Sequence, residues 1–151
     1  MLIEIYTKIL TPLLLQSGSK AAIKLENHHP ESRLAGGKYS LSTHTITLYI
    51  EEIKEQCLQL FGSLVNLDLY IAVIFAHELG HAEDKALAIL AERLEYATTE
   101  IERAKLSFLI EKRAWKYAEK LLQGTDRNFT KKIIFQSLRY YYEQIELQQG
   151  A

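Results

Sequence analysis

Cysteine is nearly absent. One residue, Cys57, in a chain of 151 excludes an internal disulfide framework and any CxxC zinc ribbon, and it fits a reducing compartment such as the cytoplasm. A metal, if bound, must therefore be held by histidines and carboxylates. An excess of charge of either sign is also missing. With 18 Lys and Arg against 19 Asp and Glu, the formal net charge is -1, which gives no general attraction to phosphate, so no nucleic-acid partner is expected. No uncharged apolar run approaches the roughly 20 residues that cross a bilayer. The best stretch, Leu69 to Ala76, is far too short, and no membrane partner is expected. Prolines number two, and no low-complexity segment or linker is visible.

What is present is a globular composition, 48% hydrophobic and 25% charged, long enough for one domain spanning 1–151. The opening MLIEIYTKILTPLLLQSGSKA has a faint signal-peptide texture. Glu4, Lys8, Thr11 and Pro12 break that texture, and an amphipathic helix over 2–16, bent or restarted near Pro12, is the better reading. From Ala21 to Ile50 the pattern alternates. Ile23 and Leu25, a turn at Gly36 and Gly37, and the run KYSLSTHTITLYI predict strands and a hairpin. In the last strand, His44, Ile46, Leu48 and Ile50 would face a core and Thr43, Thr45, Thr47 and Tyr49 would face solvent. Helical periodicity returns over 51–61. Another helix follows, capped by Asn66, and then patterning through Leu87, Leu90 and Leu94. A capping box of Thr99 and Glu102 predicts a helix from about Ile101 to Leu122, and a last helix covers about 131–147. The fold class is α+β, mainly helical, with a small N-terminal antiparallel or mixed sheet.

The run HELGH, His77 to His81, carries the chemistry. On a helix, positions i and i+4 lie one above the other, so two imidazoles there can reach one ion about 2 Å away. Glu78 sits about 100° round the axis, where a carboxylate can take a proton from water held by the metal. An HExxH run arises by chance in roughly 2% of chains of this composition. The uncharged segment LYIAVIFA before it predicts a helix sunk in the core.

A catalytic zinc takes three protein ligands, so a third must be found. Asp84 lies on the motif's face but seven residues beyond His77, about 10 Å along a straight helix. The HExxHxxGxxH pattern is absent, since Asp84 and Leu87 stand where its glycine and histidine would be. Glu102 is explained by the capping box. Glu111 has no such structural task, and Ala114 and Ala118 on its face would let its helix approach the motif helix at Gly80. Glu111 is favoured, with Glu83, Asp84, Glu95 and Glu100 left as alternatives.

HELGH after an alternating strand and an uncharged helix, followed by EKRAWKYAEKLL, resembles the zincin metallopeptidases of gluzincin type, most of all the ImmA/IrrE-like family. The resemblance covers residues 40–122. It implies a minimal zincin fold with a C-terminal helical part carrying the third ligand, Zn2+ as cofactor, His77, His81 and Glu111 as ligands, Glu78 as catalytic base, and a protein or peptide substrate, in known members a repressor. Two features depart from it: Ala82, Glu83 and Asp84 make the turn after the motif unusually acidic, and there is no length for a DNA-binding domain. The alternative reading is a zincin-fold regulatory or interaction module with little proteolysis. Candidate oxyanion donors are Tyr96, Tyr117, Tyr140 to Tyr142 and His44, and the edge of strand 43–50 could pair with an extended peptide. His28 and His29, before Pro30, are read as loop residues.

Overall fold

The computed structural model describes residues 2–30 and 36–150; the expected hairpin's residues 31–35 and the side chains of Leu2 and Ile3 lie outside these. It is mainly helical, with six helices and a three-stranded mixed sheet among the described residues. The order is α1 (Leu2–Ser17), β1 (Ala22–Glu26), β2 (Gly37–Ser40), β3 (Thr45–Tyr49), α2 (Ile50–Phe61), α3 (Leu67–Ala82), α4 (Leu87–Glu95), α5 (Glu100–Leu121) and α6 (Arg127–Gln149). None of the helices is long and apolar enough to cross a membrane.

Helix α1 passes through Pro12 without a restart, burying Leu10 and Leu13, and closes at Gly18, whose φ of 70° is the left-handed value a glycine adopts freely. Three expectations about the sheet need correction. The hairpin between β2 and β3 turns at residues 41–44, and not at Gly36 and Gly37. His44 is outside the strand, at φ 50°, in a turn that has no glycine to take the left-handed position; its Nδ1 lies 2.7 Å from the Tyr39 hydroxyl. The strand is also not an edge. Sheet order is β1-β3-β2, with β1 parallel and β2 antiparallel to β3, so the central strand has both backbone edges taken.

Centrality also removes the expected wet face. Ile46 and Leu48 face the core as predicted, but Thr47 and Tyr49 on the other face are buried too. Lys24 and Lys38 stand in register on either side of Thr47, and the His29 ring packs 4.8 Å from that of Tyr49. Long lysine stems cover such a position while their charged ends stay in water.

Helix α3 is the centre of the molecule. It packs against α1, α2, α5, β2 and β3, and its buried run Val73 to His81 covers every side of the helix, which is why the sequence lacks an amphipathic stripe there. Asn66 occupies the N-cap position, but its side chain makes no capping bond. Thr99 Oγ1 does accept from the Glu102 N–H, starting α5 close to the expected place. Helix α6 begins earlier than predicted because Asp126 accepts from the N–H groups of Asn128 and Phe129. A smaller cluster of Leu87, Leu90, Ala97, Leu106 and Ile110 joins α4 to α5.

The α3–α5 crossing is very close. A Cβ on Gly80 would collide with the Ala114 carbonyl oxygen and stand 2.8 Å from the Ala114 Cα, and both Ala114 and Ala118 are fully buried. Small residues on both helices thus set their separation. Gly80→Ala adds helix propensity worth about 1 kcal/mol, but it forces two backbones apart at an overpacking cost of about 1–3 kcal/mol or more. A net loss of stability in urea unfolding is the expected outcome.

Candidate metal centre

The motif lies in the second half of α3, where one face meets α5 and the other meets the head of β2. His77, Glu78 and His81 are each less than one-tenth exposed. Each also offers a possible ligand atom within 4.8 Å of the others. Burying three ionisable groups costs several kcal/mol per ion unless partners compensate.

The partners come from α5. Glu111 reaches across the crossing so that its Oε1 is 3.0 Å from His77 Nε2 and its Oε2 is 3.1 Å from His81 Nε2. Both imidazoles therefore present the same nitrogen to one carboxylate. Glu78 lies on the opposite edge of the first ring, its Oε2 3.0 Å from His77 Nδ1. Glu78 and Glu111 thus serve different sides of His77, and the side shared by two histidines is that of Glu111. The ring of His77 also stacks on Trp115, centroids 4.3 Å apart at 26°.

Electrostatics follow from this placement. Burial by itself disfavours a charged His77, but the carboxylates of Glu78 and Glu111 outweigh it and raise the imidazole's pKa. Burial also works against a charged Glu111, yet hydrogen bonds from His77 and His81 hold its pKa far below the usual carboxylate range. His77 then donates N–H to both carboxylates. Two imidazole nitrogens and a carboxylate within hydrogen-bond distance are a donor set of the kind that binds zinc, and an ion taken up there would displace protons from the ligating nitrogens.

The other acidic candidates are placed elsewhere. Asp84 accepts from Arg113 through both oxygens, Nε to Oδ2 at 2.9 Å and Nη2 to Oδ1 at 2.8 Å, and also from the Ala86 N–H. It anchors the turn after α3 to α5. Glu100 pairs with Arg103, Glu95 and Glu102 are exposed, and Glu83 is half-buried near Tyr39 and Tyr117. His28 and His29 sit in the loop after β1, where Glu52 Oε1 lies 3.3 Å from His28 Nδ1 and accepts from the His29 N–H.

The bond from Arg113, ahead of a smaller opposing effect of burial, holds the Asp84 pKa below its ordinary value. A group depressed in the folded state stabilises above its unfolded pKa, near 3.9, and loses that contribution as pH falls through the lower folded value. Asp84→Asn should therefore cost about 1–2 kcal/mol at neutral pH. The gap from wild type should close as both proteins are unfolded at progressively lower pH below about 4; a constant gap down to pH 2 would contradict the ion-pair account.

A cleft of about 620 Å3 opens beside the cluster, walled by the head of β2, α2, α3, α5 and α6. His77, Glu78 and Glu111 line it, with Trp115, Ile133 and Tyr70 among the buried residues at its base. Gly37 is what brings β2 so near: a Cβ there would meet the Glu78 Cγ and Oε2 at 2.8 Å. Of the candidate donor tyrosines, Tyr140 and Tyr141 line this cleft, whereas Tyr142 lines a separate groove between α5 and α6. Tyr96 is exposed at the end of α4, Tyr117 packs on the main core, and His44 is engaged with Tyr39. Trp115, Ser137 and Tyr70 also line the cleft, and none of them is among the site residues expected from the sequence. Trp115 had a usable signal, since it stands one turn beyond Glu111 on the same helix face.

Comparison with the patterns of known protein families, with curated proteins and with solved structures finds no match for this chain.

Proposed function

We propose that the chain is a zinc-dependent endopeptidase of the gluzincin kind, with His77, His81 and Glu111 as metal ligands and Glu78 as general base. The observation that carries this reading is the Glu111 carboxylate spanning both motif imidazoles at 3.0 and 3.1 Å, while Glu78 faces the same cleft. When bound there, zinc supplies Lewis acidity towards a carbonyl oxygen and towards water.

The residues of the chain do the rest. Glu78 takes the proton of the attacking water and passes it to the leaving amine. The phenols of Tyr140 and Tyr141, which line the same cleft from α6, are the candidate donors to an oxyanion developing there. An extended peptide pairs with β2 and not with the central β3. Gly36 O accepts from Tyr49 N, and in an antiparallel ladder the bonding alternates, so the backbone groups of Gly37 and Tyr39 point to the outer edge of the sheet. Gly37 is also the residue against Glu78, which brings a peptide added at that edge to the base.

A repressor or another regulatory protein as substrate rests on the family resemblance alone. The retention of a buried Glu78 at the cleft argues against a module that only binds, since binding has no use for a base. Hydrolysis of an unfolded protein such as casein by the zinc-loaded chain, abolished by a chelator and restored by Zn2+, tests the reading; full activity in the chelated protein contradicts it.

A further inference from the structure

His77 is held in its plane at two edges, by Glu78 at Nδ1 and by Glu111 at Nε2. Neither contact fixes the tilt of the ring. Trp115 does, since its indole lies against the imidazole face at 4.3 Å and 26° and is itself only 2% exposed. The indole is pinned in turn, because its Nε1–H donates to Ser137 Oγ on α6 at 3.0 Å. A chain of contacts therefore runs from α6 through Ser137 and Trp115 to an imidazole of the motif. An aromatic face also favours positive charge above it, and an imidazole polarised by a cation carries such charge.

We propose, on the basis of the metallopeptidase reading, that Trp115 is the positioning residue of the metal centre: it sets the tilt of His77, and Ser137 holds it in register, so the docking of α6 governs how well the ligands fit the ion. Metal ligands are ordinarily oriented by hydrogen-bonding partners whose loss costs about 10–100-fold in affinity. Here a stacked indole performs part of that task. Ser137 also lines the cleft, which places the anchor of this chain of contacts beside bound peptide.

The test compares Ser137→Ala, Ser137→Thr and Trp115→Phe with wild type, using competition with a chelator for zinc affinity, the visible spectrum of the Co2+-substituted protein for ligand arrangement, and urea unfolding for stability. Ser137→Ala removes one hydrogen bond and leaves the indole in place; a roughly tenfold loss of zinc affinity and a changed Co2+ spectrum are expected, with helix content intact. Ser137→Thr keeps the hydroxyl and should restore both. Trp115→Phe keeps a smaller face and no donor, and should lose about 10–100-fold in affinity. On a peptide substrate the variants should lower kcat with little change in KM. Wild-type affinity and a wild-type Co2+ spectrum in Ser137→Ala and Trp115→Phe would overturn the proposal. So would affinities that merely track the unfolding midpoints while the spectrum stays constant. Altered affinity and spectrum in a protein that hydrolyses nothing would leave the positioning role standing and remove the peptidase reading, whereas a wild type that binds no zinc would remove both.

Discussion

Replacing Glu78 by Gln is expected to abolish nearly all hydrolysis while leaving the zinc in place. The substitution keeps the size of the side chain and removes its basicity, so what is lost is proton transfer, typically worth about 10²–10⁴-fold in rate. Glu78 approaches His77 only at Nδ1, on the far edge of the ring from Glu111, so the shared Nε2 side should keep its donors. The Glu78 side chain is also packed against Gly37, where an isosteric amide fits the same space. The measurement is kcat/KM on an unfolded protein with zinc content determined on the same samples. A variant with normal zinc and a rate close to that of wild type would take the base role from Glu78.

Glu111→Ala should have the opposite signature, a loss of metal. Among the described residues, Glu111 is the carboxylate against Nε2 of both His77 and His81, and its removal would leave two imidazoles to hold an ion. Loss of a supporting partner alone costs about 10–100-fold, so loss of a ligand should cost at least about 100-fold in affinity. Linkage makes this visible as stability. Zinc at about 100 times its dissociation constant adds about 2.7 kcal/mol to the folded state, which in a domain of this size raises Tm by roughly 5–10 °C. Wild type should show that rise on adding zinc, and Glu111→Ala should show little of it at the same concentration. Helix content should be nearly unchanged, because α5 is held by Leu106, Ile110, Ala114, Trp115 and Ala118, all buried.

The helices were the most legible part of this sequence, and the reasons are local. α3 is marked by the uncharged run 69–76 leading directly into HELGH, and α5 by Thr99 three residues before Glu102. Strand order was not legible, because alternation marks a strand without saying which neighbours it takes. That is why 43–50 read as an edge with a wet side, although β3 lies between β1 and β2 and buries Thr47 and Tyr49. Gly36 and Gly37 read as a turn for the same reason. A glycine needed for close approach looks the same in sequence as one needed for its backbone angles, and only the position of Glu78 distinguishes them. At the site, the placement of Glu111 against both histidines was foreseeable from Ala114 and Ala118 opposite Gly80. The bond from Trp115 to Ser137 depends on the docking of α6, a long-range contact that no periodicity encodes.

The central claim is that one divalent ion sits where His77, His81 and Glu111 meet, and X-ray absorption at the zinc edge of the protein loaded with one equivalent tests it most directly. The account predicts a first shell of nitrogen and oxygen only, at about 2.0–2.1 Å, with the outer-shell scattering of two imidazoles. A shell that contains sulfur, or one with no imidazole scattering, would contradict it.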